Sequence, residues 1–231
     1  MIDFSKFEEK CGIVFADKQL LQQAFIHRSF INENTGMQVS HNERLEFLGD
    51  AVLELSVTNY LYKKYPDYTE GDLTAYRSSL VNAVIIAEVA GEIGMNDFLL
   101  LSKGEAKDMG KARMYILANT YEAFVGAVYL DRGYDSADAF IIKTLLPKLD
   151  QIVSKRLWRD AKSTVQEKAQ EYTGITPSYK VIQESGPDHD KHFTVGLYLG
   201  DQLIAQGKGK SKQEAEQKAA AETLKAKGWM E

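Results

Sequence analysis

The stretch "NERLEFLGDAVL", residues 42–53, decides the fold because it has the pattern of a core-type helix that also carries a row of carboxylates. Most of its residues are apolar, as in a helix that is buried inside a protein. Within it lie Glu43, Glu46 and Asp50, spaced three and four residues apart. An α-helix turns about 100° per residue, so these carboxylates fall within roughly a 60° arc of one helix face. Such clustered negative charges repel one another unless a positive group lies among them.

The composition is that of a globular protein that builds its own core. The chain has 231 residues, of which 44% are hydrophobic. A single cysteine, Cys11, excludes an intrachain disulfide and fits a reducing compartment. The charged N-terminal stretch and the lack of a long apolar run predict a cytoplasmic protein without a membrane span. With a net charge of −5, a polyanionic partner would need a local cluster of lysines.

The hydrophobic pattern divides the chain into two domains and predicts a mainly α protein. Residues 1–153 repeat apolar side chains at helical spacing and show no hairpin signal, which predicts an all-helical domain. Residues 154–160 are polar and charged, as in a linker. Residues 161–228 read α-β-β-β-α, because two strand-like stretches and a tight turn at Gly200 lie between two helical patterns.

Two helix starts can also be predicted from the residue types. Asp135 or Ser136 is a candidate N-cap for the helix that covers "DSADAFIIKTLLPKLDQIV". Ser211 and Glu214 have the spacing of a capping box at the start of the last helix.

A second apolar helix carries a matching pair of oxygen-bearing side chains, Asn119 and Glu122. The plain alternative is a solvated acidic face paired with Arg44 or nearby lysines, but both helices are apolar on most of their remaining surface. Facing acidic stripes suit a hard divalent cation, Mg²⁺ with Mn²⁺ as a substitute. Di-iron bundles use Glu-x-x-His pairs, and none of the four histidines follows a glutamate at that spacing. The waters that such a cation keeps are what a phosphodiester hydrolase needs.

The quoted motif resembles the signature of the ribonuclease III family. "EGDLTAYRSSLVN" and "ILANTYEAFVGAVYLD" resemble that family's next two landmark segments, and residues 161–228 resemble its double-stranded-RNA-binding domain. The resemblance covers nearly the whole chain. It implies a homodimeric endonuclease that cuts duplex RNA and leaves 5′-phosphate and 3′-hydroxyl ends with short 3′ overhangs. Ribosomal RNA precursors and some messenger RNAs are the implied substrates.

The resemblance also implies roles for individual residues in the helical domain. Glu43, Asp50 and Glu122 are implied as catalytic, Glu46, Asn119 and Glu122 as metal ligands, and Phe47 as a contact to the partner subunit. The family pattern has aspartate where this chain has Asn119. An amide oxygen can ligate Mg²⁺ but adds no charge, so our hypothesis is an active enzyme that needs more metal.

Positive charge in the second domain is concentrated in "GKGKSK", residues 207–212. Lysines at the start of a helix suit phosphate binding, since the helix N-terminus also attracts anions, although a solvated turn is the plain alternative. Duplex RNA is recognised mainly by shape through phosphates and 2′-hydroxyls, so little base specificity is expected. The residues predicted to bind RNA, several of them by resemblance, are Gln166, Glu167, His189, Lys210, Lys212 and Lys218.

Two other functions are compatible with parts of the sequence. A duplex-RNA-binding regulator with an inactive site would explain Asn119, but it gives no reason to keep mutually repelling acids at the other positions. A metal-dependent phosphohydrolase of small molecules leaves residues 161–228 unexplained.

Overall fold

The computed structural model describes residues 2–36, 38–154, 161–187 and 191–229. The chain forms two compact units, Met1–Trp158 and Arg159–Glu231. Most of the predicted linker, residues 155–160, lies outside the described residues. In the described part of the chain, no helix is long and apolar enough to cross a membrane.

The first unit is built from helices, which confirms the predicted fold class. Where the structure describes this unit, it contains no strand, and an isolated parallel bridge joins Ile26 to Leu100. The helices are α1 (Ser5–Cys11), α2 (Lys18–Ala24), α3 (Arg28–Glu33), α4 (Glu43–Lys64), α5 (Glu70–Leu80), α6 (Ala83–Glu92), α7 (Lys111–Arg132), α8 (Tyr134–Thr144) and α9 (Pro147–Ser154). Short 3₁₀ turns cover Met95–Phe98 and Glu105–Lys107.

The predicted cap of α8 is wrong. The N-cap is Gly133, with φ +81°, and neither Asp135 nor Ser136 occupies that position. A residue with positive φ lets the chain turn sharply between α7 and α8 without a side-chain cap, and glycine adopts that conformation at little cost. The helix predicted over this stretch also divides in two, because α8 ends at Thr144 and α9 begins at Pro147.

Helices α4 and α7 form the centre of the first unit and touch backbone to backbone. A Cβ added to Gly49 would lie 1.7 Å from the carbonyl oxygen of Glu122. A Cβ added to Gly126 would lie 2.3 Å from the carbonyl oxygen of Leu45. Only glycine permits this approach, and it brings the polar faces of the two helices next to each other.

Aromatic side chains fill the space beside this helix crossing. The ring of Phe7 lies 5.0 Å from that of Phe25 and 5.1 Å from that of Phe124, in edge-to-face geometry. All three side chains are fully buried. Rings packed in this way hold the short N-terminal helices against α7.

The second unit has the order that the sequence predicts. It comprises α10 (Ala161–Thr173), β1 (Pro177–Ser185), β2 (His192–Leu199), β3 (Gln202–Gly209) and α11 (Lys212–Lys227). The strands form an antiparallel sheet in the order β1-β2-β3. Buried Val195, Leu197 and Leu199 alternate along β2, and Leu197 and Leu199 pack with α10 and α11.

The glycines of "GKGKSK" lie against α11. A Cβ on Gly207 would be 2.2 Å from the carbonyl oxygen of Ala215, and one on Gly209 would be 2.7 Å from the amide nitrogen of Ala215. The three lysines of this segment, Lys208, Lys210 and Lys212, are exposed. The capping prediction is confirmed in part: Ser211 accepts from the amide of Glu214 at 3.1 Å, but the Glu214 carboxylate accepts from the amide of Lys210, one residue before the cap.

Candidate functional site

The polar faces of α4 and α7 meet beside the glycine contact. Glu46 and Asp50 come from α4, and Asn119 and Glu122 come from α7. The Asn119 amide donates a hydrogen bond to the Glu46 carboxylate, and the charges of Asp50 and Glu46 both act on Glu122. The structure thus brings these four side chains, which we call the acidic cluster, to one place.

Burial and mutual repulsion make the acidic cluster costly to ionise. Burial is the main cause that raises the pKa of Glu122 to about 8, and the charges of Asp50 and Glu46 add to it. Burial also raises the pKa of Glu46, while the hydrogen bond from Asn119 opposes this shift. Partial burial raises the pKa of Asp50, and the charge of Glu54, one turn further along α4, adds to it. Such crowded carboxylates would be stabilised by a cation.

In the absence of metal, Glu122→Gln is expected to stabilise the fold at high pH. The folded chain keeps this proton between its ordinary pKa of 4.5 and about 8, whereas the unfolded chain releases it. The stability of the wild type therefore falls as pH rises through this window. In excess chelator, calorimetry at pH 8.5 should show the variant melting about 3 °C higher, with the difference vanishing at pH 4.5. Glu9→Gln, an exposed glutamate of α1, is the control, and an equal gain there would contradict the explanation.

The acidic cluster suits a hard, oxygen-loving cation. Its donors are carboxylate and amide oxygens, with no sulfur or imidazole among the four side chains. Within the described residues, no three Asp, Glu, His or Cys side chains form a ready-made metal cage. Mg²⁺ does not require one, because it keeps several waters and commonly takes one or two carboxylates from the protein. Glu46, Asn119 and Glu122 could supply such ligands.

Glu43 lies beside the acidic cluster but has basic partners of its own. Its carboxylate is 3.6 Å from Nη1 of Arg28 and 3.7 Å from Nδ1 of His41. On its other side, its charge contributes to the raised pKa of Glu46. Arg44, the partner considered from the sequence, forms no ion pair with any residue that the structure describes; Arg28 takes that place.

Phe47 is 82% exposed although it follows Glu46 in α4. Its exposure in the single chain leaves it available for a contact with another molecule.

The second unit presents most of its predicted binding residues to solvent. Gln166 and Glu167 are exposed on α10. Lys210 precedes the cap of α11, and Lys212 and Lys218 form ion pairs with Glu184 at 3.2 Å and Glu214 at 2.7 Å. Another predicted residue, His189, lies outside the described residues.

Sequence reasoning missed several residues that shape the site. Gly49 and Gly126 set the helix contact, and only a glycine inside an otherwise apolar helix could have signalled it. Glu54 continues the acidic stripe of α4 and could have been found by the same spacing. Arg28 approaches Glu43 from a distant part of the sequence, so no local pattern reveals it.

Comparison with protein families divides the chain at the same place as the fold. Residues 17–149 match the model of the ribonuclease-III-like family. Residues 161–227 match the double-stranded RNA binding motif. Both matches agree with the helical unit and the α-β-β-β-α unit that the structure shows.

Relatives and solved structures point to the same family. The chain is 45% identical to ribonuclease 3 of Borreliella burgdorferi over 222 residues, which cover 96% of this chain and 90% of that protein. It is 43% identical to ribonuclease 3 of Bacillus cereus with the same coverage. A solved structure of the nuclease domain of ribonuclease III from Campylobacter jejuni is similar to this chain, with 37% sequence identity and a TM-score of 0.57. The match covers 63% of this chain and 97% of the Campylobacter jejuni chain. The chain therefore belongs to the ribonuclease III family.

Proposed function

We propose that the protein is a divalent-metal-dependent endoribonuclease that hydrolyses double-stranded RNA. The observation that carries this proposal is the acidic cluster, in which burial and neighbouring charges raise the pKa of Glu122 to about 8. A fold has no structural reason to keep such repelling acids together, whereas a cation site needs them. The double-stranded RNA binding motif over residues 161–227 supplies the matching substrate class.

In the proposed reaction, water attacks a phosphodiester phosphorus and the 3′ oxygen of the preceding nucleotide leaves. This cleavage gives the 5′-phosphate and 3′-hydroxyl ends, with short 3′ overhangs after both strands are cut. A bound Mg²⁺ or Mn²⁺ would supply charge neutralisation at the phosphate and lower the pKa of water. Glu46, Asn119 and Glu122 would hold the cation, and Asp50, one turn from Glu46, would orient the attacking water.

Asn119 and Glu43 have supporting parts in this proposal. The Asn119 amide donates to Glu46 and so opposes the rise in the pKa of that carboxylate, which favours its ionised, ligating form. Glu43 keeps the edge of the acidic cluster polar and contacts Arg28. Neither the hydrogen bond from Asn119 nor the contact between Glu43 and Arg28 adds a charge to the acidic cluster.

We further propose that two chains act together. Phe47 is 82% exposed next to Glu46, as expected for an apolar side chain that inserts into a second subunit. The description of the Campylobacter jejuni nuclease domain names a region involved in dimer formation. Two subunits would place one acidic cluster at each strand of the duplex.

The second unit is proposed to bind the duplex by its shape. Exposed Gln166 and Glu167 can contact 2′-hydroxyls, because both accept hydrogen bonds and Gln also donates them. Exposed Lys210, Lys212 and Lys218 can contact phosphates at the start of α11. His189 is proposed for a second minor-groove contact.

The domain bounds of this proposal are residues 1–153 for catalysis and dimerisation, 154–160 for a linker and 161–228 for RNA binding. Precursors of ribosomal RNA and some messenger RNAs are the proposed substrates.

The function is tested by incubating the protein with a long RNA duplex and Mg²⁺ and analysing the products. Short duplexes with 5′-phosphates and 3′ overhangs are expected, and binding without cleavage would contradict the proposal.

Asn119→Asp is expected to lower the metal requirement and to weaken the metal-free fold. The aspartate adds a charged oxygen ligand, so half-maximal cleavage should need roughly tenfold less Mg²⁺. It also removes the amide that donates to Glu46 and adds another charge to the cluster, so the melting temperature in chelator should fall by about 3 °C. Titration of cleavage against Mg²⁺ and calorimetry in chelator check the two effects. Equal metal requirements would refute the weaker-ligand hypothesis.

A further inference from the structure

We propose that Arg28 binds a phosphate of the RNA backbone beside the acidic cluster, and that Glu43 is a positioning residue that holds the guanidinium there. This inference rests on the proposed function and adds a substrate contact in the first unit. It also gives Glu43 a role in positioning Arg28 where the sequence predicts a catalytic one.

The contacts of Arg28 leave its hydrogen-bond donors available. Nη1 lies 3.6 Å from Oε1 of Glu43, which is an ion pair but too long for a hydrogen bond. The Arg28 side chain is 69% exposed, and it forms no hydrogen bond with any residue described. Guanidinium groups bind phosphate through paired N–H donors, and these donors remain free to do so.

The backbone around Arg28 is fixed to the helix that carries the acidic cluster. The amide of His27 donates to the carbonyl of Leu100 at 3.1 Å, and the amide of Asn42 donates to the carbonyl of Ile26 at 2.9 Å. The Asn42 side chain also donates to the carbonyl of Ala24 at 3.0 Å. The two bonds of Asn42 tie the segment before Arg28 to the start of α4, and the bond to Leu100 holds it from another side, so the guanidinium is presented from a rigid base.

The neighbouring histidines, His27 and His41, contact Ser29 and Glu43. Burial lowers the pKa of His27, and its Nδ1 accepts a hydrogen bond from the amide of Ser29 at 3.3 Å. His41 Nδ1 lies 3.7 Å from Oε2 of Glu43, on the other carboxylate oxygen from Arg28. Each oxygen of the Glu43 carboxylate therefore faces a different basic side chain, and Arg28 faces Oε1.

The position of Arg28 bears on the repulsion between the carboxylates of the site and the RNA backbone. Glu43 and Glu46 lie one helical turn apart on the same face of α4, at roughly 5–6 Å between Cβ atoms. A polyanion that approaches carboxylates so closely is repelled unless a cation lies on its path. A permanent guanidinium charge at the edge of the acidic cluster offsets part of this repulsion and guides the backbone toward it.

A surface ion pair between Arg28 and Glu43 with no binding role is the alternative, and salt dependence separates the two. Binding of a long RNA duplex is measured in the Glu122→Gln background at several KCl concentrations. Adding Arg28→Gln should weaken binding about fivefold at 0.15 M salt and lower the slope of log K against log salt by about one per Arg28 engaged. Arg28→Lys should keep the slope. A purely structural pair would leave the slope unchanged in every variant.

Arg44→Gln is the matched control. Arg44 follows Glu43 in the sequence, is exposed and carries the same positive charge as Arg28. Its slope should equal that of the parent, and an equal loss in both variants would overturn the assignment of Arg28. Adding Glu43→Gln should reduce the effect of Arg28→Gln, since an arginine that is no longer held contributes less. Independent, additive effects would overturn the positioning role of Glu43.

Cleavage by the wild type is scored separately from these slopes. If the wild type cuts the duplex while Arg28→Gln leaves the slope unchanged, the proposed function survives and the Arg28 site is wrong. If the wild type does not cut, the proposed function fails, but the slopes still decide whether Arg28 contacts phosphate.

Discussion

Replacing Glu122 by glutamine is expected to abolish cleavage of duplex RNA while leaving the RNA bound. The substitution keeps the shape and a ligating oxygen, but it removes the carboxylate that a bound cation would keep ionised against the burial and the charges of Asp50 and Glu46, which raise the pKa of Glu122. Loss of charge stabilisation at a reacting phosphate typically costs on the order of 10³-fold in rate. Single-turnover cleavage at saturating protein measures this loss without a contribution from binding.

Two controls make the Glu122→Gln result interpretable. Glu9→Gln removes the same charge from an exposed position on α1 and should cut at the rate of the wild type. Filter binding should give similar duplex affinity for both variants, because the proposed lysine contacts of the second unit are unchanged. A variant that retains more than about a tenth of the wild-type rate would show that Glu122 is not part of the reacting site.

Replacing Gly49 by alanine is expected to produce the largest loss of stability among small substitutions in α4. The new Cβ would lie 1.7 Å from the carbonyl oxygen of Glu122 and 2.8 Å from the amide nitrogen of Gly126, so the two helices must separate. Backbone atoms cannot rotate away as a side chain can. We expect a loss of about 3 kcal/mol or more, or about 6–12 °C in the melting temperature of the first unit.

The same substitution should also impair the site, because the glycine contact sets the separation of α4 and α7. Cleavage at 10 °C, where the variant remains folded, should fall even though no acidic residue has changed. Gly91→Ala is the control: this glycine lies in α6, and a Cβ there would meet nothing within 4 Å. It should stabilise the protein by about 0.5–1 kcal/mol, since alanine favours helix over glycine. A Gly49→Ala protein that melts and cuts like the wild type would contradict the described helix contact.

The acidic cluster was predictable from sequence because helical spacing alone places Glu46 and Asp50 on one face. The same spacing places Asn119 with Glu122, and charge on two apolar helices indicates that these faces meet. The strands of the second unit were predictable for a similar reason, since Val195, Leu197 and Leu199 alternate and are buried.

Other features depend on tertiary contacts that no local pattern encodes. The approach of Arg28 to Glu43 depends on the hydrogen bond from the Asn42 amide to the Ile26 carbonyl, which joins residues well separated in the sequence. The start of α8 depends on how sharply the chain leaves α7, so Gly133 took the place that Asp135 or Ser136 would have filled by residue preference alone. Residue types predicted which side chains carry charge, but not which ones neutralise it.

In the proposed function, the acidic cluster binds the divalent cation that acts on RNA. The most direct measurement is electron paramagnetic resonance of Mn²⁺ with saturating duplex RNA, comparing the wild type with Glu122→Gln. The wild type should bind Mn²⁺ at least about tenfold more tightly than Glu122→Gln, and Asn119→Asp more tightly than the wild type. Equal Mn²⁺ affinity in the wild type and Glu122→Gln, with RNA bound to both, would contradict the account.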